Sequence, residues 1–178
     1  MHVRSIAFAS ALIALAILCA SCADSRDSTR AARTSADQTA HNKTVARRVY
    51  EEGLSRGIFE VPYTDSFVGH GGAATFSHAD GIAEAKGWRS AFPDLKVAVD
   101  LIVAENDLVS VRWTARGTNT GVGNGISATG KSVIVSGTTI FRLVDGAIAE
   151  EWTSGDSLGL LRQLGMLPAG GTQAARPD

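Results

Sequence analysis

The stretch D-G-A-I-A-E-E-W-T-S-G-D-S-L-G-L-L-R-Q-L-G, from Asp145 to Gly165, changes its hydrophobic period part-way along. Asp145-Gly146 is a strong hairpin signal, because both central positions of a type I′ turn need positive φ. Ala147 to Thr153 returns from that turn as a strand, and Ser157 to Leu164 reads as a short helix stopped at Gly165. Asp156 stands between the two, where a side-chain oxygen can cap the helix. The pair Glu150-Glu151 reads as charge capping an exposed strand edge.

Strand patterns continue backwards from this point. Lys131 to Leu143 places Val133, Val135, Thr139 and Phe141 on one side. Leu108 to Gly117 alternates, with Val109, Val111, Trp113 and Ala115 on one face and Ser110, Arg112, Thr114 and Arg116 on the other. Lys96 to Val103 is rich in β-branched residues, and Glu105-Asn106-Asp107 turns the chain. Before Pro93 the period is helical. Asp80 to Phe92 carries Ile82, Ala85, Trp88 and Phe92, while Thr44 to Leu54 sets Val45, Val49, Tyr50 and Leu54 against Arg47, Arg48, Glu51 and Glu52. Phe59 to Phe67 is read as a further short helical segment leading into the glycine turn Val68–Gly72. Helices first, then four strands, then a terminal helix predict an α+β fold with a largely antiparallel, curved sheet packed on helices.

Composition narrows the function. Lys plus Arg number 17 against 18 Asp plus Glu, a balance unlike the basic excess of a nucleic-acid-binding domain. With 44% hydrophobic residues the chain has enough apolar side chains to build a core. Both cysteines, Cys19 and Cys22, lie near the start. Arg4 precedes an almost wholly apolar run from Ile6 to Leu18, too short to span a bilayer and suited to a signal-peptide core. Leu18-Cys-Ala-Ser-Cys22 resembles a bacterial lipoprotein box, which implies cleavage after residue 21, a lipid on Cys22 and a membrane-anchored, exported protein. An ordinary secretory signal is the alternative. Residues 22–38, polar and without large aliphatics, are expected to form a flexible tether, residues 39–168 the folded domain, and 169–178 a frayed tail.

Other motifs exclude chemistries. Gly121-Val-Gly-Asn-Gly125 lies between strand patterns with no helix after it, so it reads as a flexible hairpin over a pocket mouth and not as a phosphate loop. His70 and His78 lack the companions of a zinc site, and no Gly-x-Ser-x-Gly occurs. Asp156 follows Trp152 by four residues. If alternation persists that far, both face one apolar cavity, where burial raises the carboxyl pKa into a range useful for acid–base work. The other reading of Asp156 is a plain helix cap.

Five segments resemble the SnoaL-like polyketide cyclase (ester cyclase-like) family: A-R-R-V-Y-E-E-G at 46–53, F-V-G-H at 67–70, A-F-P-D-L at 91–95, R-W-T-A-R-G-T-N-T-G at 112–121, and the stretch 145–165 quoted above. The resemblance implies the cone-shaped, cystatin-like α+β fold of the nuclear-transport-factor-two-like superfamily, enclosing one cavity and often dimerising through the outer sheet face. It implies Asp156 as the acid/base of an intramolecular aldol closure, His70 as a second polar group, and no metal or cofactor. Asn119 stands where the family often has histidine, in Gly117-Thr-Asn119-Thr-Gly121. The cavity lining expected is Tyr50, Phe67, Trp88, Phe92, Arg112, Thr139, Phe141 and Trp152. Two functions follow as expectations: cofactor-free proton transfer or cyclisation on a small hydrophobic carbonyl compound, or a non-catalytic lipid-anchored module holding an apolar ligand or a partner chain.

Overall fold

Positive φ at Asn106 (55°), Asp145 (49°) and Gly146 (80°) closes the two late hairpins at the turns the sequence marks. The computed structural model describes residues 30, 33–72 and 74–168. Its strands are β1 (Tyr63–Gly71), β2 (Ala74–Phe76), β3 (Lys96–Glu105), β4 (Leu108–Thr118), β5 (Ser132–Val144) and β6 (Ala147–Gly155). They form one sheet in the order β2-β1-β6-β5-β4-β3, antiparallel throughout except where β1 runs parallel to β6. Helix α1 enters the folded unit at residues 39–48 and widens into a π-helical turn, Val49–Leu54; α2 spans His78–Ala91 and α3 Ser157–Leu164. The architecture is the expected α+β one.

The chain divides at Gln38 and Thr39 into two units. The signal segment 1–21, Cys22 and the tail 169–178 lie outside the described residues, as does most of the tether expected over 22–38. Residues 30 and 33–38 are helical and exposed, in keeping with the helix propensity of Ala, Arg and Gln. Among the described residues no helix is long and apolar enough to cross a membrane.

The segment before α2 differs from the sequence reading, and β2 was not expected there. Phe59 to Phe67 is not helical: the chain is irregular through Pro62 and then enters β1, which pairs with both β2 and β6. Of the glycines read as a turn, Gly69 and Gly71 sit inside that strand, and Gly72 (φ 61°) makes the turn that follows it. Gly69 pairs with Phe76, and a Cβ on Gly69 would overlap the Phe76 ring, so the glycine admits an aromatic across the strand.

The core lies between the concave sheet face and the helices. Val109, Val111, Phe141 and Ile148 are fully buried from the sheet, and Val45, Ala46 and Tyr50 come from α1. The π turn bonds Ser55 N–H back to Tyr50 O, and its wide pitch brings Val49, Tyr50, Gly53 and Leu54 to one side. Helix α2 starts with a capping box between Ser77 and Asp80. Helix α3 continues along β5 where β6 ends: Gln163 donates to Ile134 O and accepts from Ile134 N–H, both at 2.9 Å, as a neighbouring strand would.

The segment after β4 is pinned, contrary to the flexible hairpin expected there. Asn119 is fully buried. Its amide donates to Ala91 O (3.0 Å) and Gly121 O (3.1 Å), and its carbonyl accepts from Thr129 N–H (2.9 Å) and Oγ1 (3.0 Å). Gly121 and Gly123 lie so close to the Ser90 and Gly87 carbonyls of α2 that a Cβ at either would overlap them. Asn119 therefore organises a loop.

Candidate functional site

A β-bulge decides which side chains reach the cavity. In the β5–β6 ladder Leu143 pairs with Ile148 but Arg142 pairs with Glu150, so Ala149 is the extra residue. Ile148 faces inward; after the bulge the parity is inverted, and Glu151, Thr153 and Gly155 face inward while Glu150 and Trp152 face outward. Registry confirms it, since Glu151 pairs with the buried Phe141 and with Gly69, and Thr153 with the buried Thr139.

The inward face opens on a cavity of about 700 Å³. This is the size range of small-molecule sites. Helix α1 contributes Tyr50, α2 contributes Trp88, and Tyr63, Phe67, Phe76 and Trp113 come from the sheet. Aromatic packing fixes the walls: Tyr50 stacks on Trp113 at 5.9 Å, Tyr63 meets Phe67 edge-on at 4.9 Å, and His78 stacks on Tyr63 at 4.1 Å.

Glu151 is the one carboxylate that the sheet carries into this space. Loss of hydration on burial pushes its carboxyl up to about 7; the Thr153 hydrogen bond opposes this, and the negative charge of Glu84 on α2 adds to it. A group titrating there exchanges protons readily near neutral pH. Burial, and then the neighbouring Glu151, raise the Tyr63 phenol well above its usual value, so its hydroxyl stays a donor. Burial lowers the His78 imidazole, which favours its neutral form.

Below the carboxylate runs a polar seam. Trp113 Nε1 donates to Thr139 Oγ1 at 3.2 Å, Thr139 and Thr153 hydroxyls meet at 2.8 Å, and Thr153 Oγ1 donates to Glu151 Oε1 at 3.5 Å. Gly137 makes this possible: a Cβ there would overlap the Trp113 indole and lie 2.6 Å from Ser154 O.

Of the residues expected to line the cavity, Tyr50, Phe67, Trp88 and Phe92 lie along its wall. Thr139 and Phe141 are fully buried behind the lining, against Thr153 and Tyr50 respectively. The other expected residues lie elsewhere. Arg112 is exposed on the outer face, set there by its pairing with Leu101 and Thr138. Trp152 and His70 stack together on that same face at 5.0 Å, with Glu150 3.4 Å from His70 and ion-paired to Arg142. Asp156 is exposed and caps α3, accepting from Gly159 N–H at 2.8 Å. It does not share a cavity with His70. The histidine at the cavity is His78, and Glu151, read as an edge charge, is the acid inside. The count of four from Trp152 to Asp156 fails at both ends: the bulge at Ala149 turns Trp152 outward, and β6 stops at Gly155, before Asp156.

The sequence profile of the SnoaL-like polyketide cyclases matches residues 44–164. The chain belongs to the SnoaL-like polyketide cyclase family. Solved structures agree. AclR from Streptomyces galilaeus, a suggested hydroxylase, superposes with a TM-score of 0.68 at 28% identity, covering 75% of this chain and 87% of AclR. A suggested SnoaL-like polyketide cyclase from Jannaschia sp. CCS1 gives 0.66 at 25% identity, covering 73% of this chain and 95% of its own. IdmH, a suggested polyketide cyclase from Streptomyces antibioticus, gives 0.61 at 27%, covering 70% and 98%. Comparison with curated proteins gives no match. These neighbours carry different suggested chemistries on one SnoaL-like fold, so the reaction has to be argued from the site.

Proposed function

We propose that this SnoaL-like chain catalyses cofactor-free proton transfer leading to ring closure on a hydrophobic carbonyl compound, with Glu151 as the proton carrier. The observation that carries this reading is a single sheet-borne carboxylate, held up to about 7, in an aromatic cavity of about 700 Å³. The Glu151 carboxylate removes a proton from carbon next to a carbonyl. The resulting enolate carbon bonds to a second carbonyl carbon of the same molecule, and the alkoxide formed takes the proton back from Glu151. Tyr63 is the donor available to the enolate oxygen. The aromatic walls fold the substrate so that the two carbons meet, an orientation effect of roughly 7–11 kcal/mol at its limit. The test is turnover of β-keto ester or anthraquinone-type substrates by wild type, Glu151→Gln and Asp156→Asn. Recovery of a bound, unaltered compound from an inactive wild-type protein would instead identify a holding module.

The address is a second part of the proposal, resting on the Leu18–Cys22 box: the chain is exported and anchored by a lipid on Cys22. Radiolabelled palmitate should enter the wild-type chain in its own cells and not Cys22→Ser; equal labelling of both removes the anchor.

The outer sheet face supports a third part, self-association as a homodimer. Leu101, Val103 and Ile140 are 58%, 53% and 40% exposed across β3 and β5, with Arg112, Arg142 and Glu150 interspersed. Mixed charge around an apolar centre is self-complementary about a two-fold axis. Sedimentation of the wild type should give twice the monomer mass and Ile140→Asp the monomer; a monomeric wild type would refute it.

A further inference from the structure

The hydroxyls beneath Glu151 have a direction. An indole N–H only donates and an ionised carboxylate only accepts. Between Trp113 and Glu151 stand two hydroxyls, each with one proton to give. Thr139 accepts from Trp113 Nε1 at 3.2 Å. An ionised Glu151 takes the one Thr153 proton at Oε1, so in the 2.8 Å pair of hydroxyls it is Thr139 that donates and Thr153 that accepts. Every donor is used once along this path. Reversed, Thr153 would spend its proton on Thr139 and the carboxylate would lose this donor.

We propose that Thr139 and Thr153 are positioning residues, a one-way hydroxyl chain that delivers a hydrogen bond to Glu151 and favours its proton-accepting form. This deepens, and rests on, the reading of Glu151 as the proton carrier. Burial alone would leave Glu151 an acid that seldom ionises; a donor aimed at its oxygen favours the carboxylate, the state needed for the first step. The placement requires several local choices to agree. Gly137 lets the Trp113 indole cross β5, the Ala149 bulge turns both Glu151 and Thr153 inward, and Thr139 is wholly shielded from water, where its hydrogen bonds carry the most weight. Other groups bear on the same carboxyl. Tyr50 from α1, Tyr63 from β1, His78 and Glu84 from α2, and Arg116 from β4 line the cavity, while β5 and α3 supply no titratable group to it.

The test needs no substrate. In the full chain carrying ¹³C-carboxyl glutamate, the Glu151 resonance is assigned by its loss in Glu151→Gln and titrated by NMR. Thr153→Val keeps the shape and removes the donor; its Glu151 midpoint should rise by about one pH unit over wild type, and Thr153→Ser should restore it. Thr139→Val should raise the midpoint by less, since the Thr153 hydroxyl remains but is no longer oriented, and Thr139→Ser should leave it unchanged. A Thr153→Val midpoint equal to or below wild type overturns the chain. The absolute wild-type midpoint answers a separate question: a value in the ordinary range near 4.5 overturns the proton-carrier reading, whatever the difference between variants.

Discussion

Replacing Glu151 by Gln should lower turnover by about a hundredfold to ten-thousandfold while leaving binding of the same compound within a few-fold of wild type. A positioned acid or base contributes rate of that order. Gln has nearly the same volume and its amide oxygen still accepts from Thr153, so the cavity keeps its shape and the loss falls on kcat. In the wild type kcat/KM should climb with pH through about 7, as the carboxyl that burial holds up in the free protein ionises to the base. Asp156→Asn is the matching control. Asp156 is exposed and engaged with Gly159 N–H, so its substitution should cost at most about 1 kcal/mol of helix capping and leave turnover within about twofold. The opposite pattern, an active Glu151→Gln and an inactive Asp156→Asn, would return the chemistry to the helix cap.

The fold was legible where local chemistry dictates it. Asp145-Gly146 needed positive φ, Pro93 had to close α2, and the alternation in β4 and β5 grouped Val109, Val111 and Trp113 on one face and Val133 and Phe141 on one side, without telling which face lines the cavity; Arg112, from the opposite face of β4, was expected there too. Two things were not legible, for different reasons. β1 looks helical because its apolar residues precede glycines that suggest a turn; only the approach of Phe76 across Gly69 explains them as strand residues. The site failed on a single residue. A bulge has no compositional signature in Ala-Ile-Ala-Glu-Glu, so nothing in this stretch marks Trp152 as outward-facing and Glu151 as inward-facing. Pairing with β5 carried the missing information: Thr139 and Phe141 were already assigned inward, and their partners across the ladder are Thr153 and Glu151. The polar Thr139 on an otherwise apolar face was the signal that could have found the seam.

Stability should carry the mark of the same carboxyl. Glu151 has a folded-state value of about 7 against an ordinary one of 4.5, so the native protein holds this proton more tightly than the unfolded chain does. Its contribution is therefore complete below about pH 4.5 and is lost as pH rises through 7. At about 1.4 kcal/mol per pH unit the full loss is about 3 kcal/mol, and water entering the open cavity reduces it to about 2. His78 works in the other direction: burial lowers its value below 6.5, so its charged form costs stability as pH falls. Subtracting the two proteins removes that term, because Glu151→Gln retains His78. The wild type should thus lose about 5–10 °C in melting temperature relative to Glu151→Gln between pH 5 and pH 8, making the inactive variant the more stable protein in alkaline buffer. Such a trade is expected where a charge is kept in an apolar wall for its chemistry. Parallel melting curves across that range would show that Glu151 ionises as easily folded as unfolded, and a carboxylate that comfortable has no reason to take a proton from carbon.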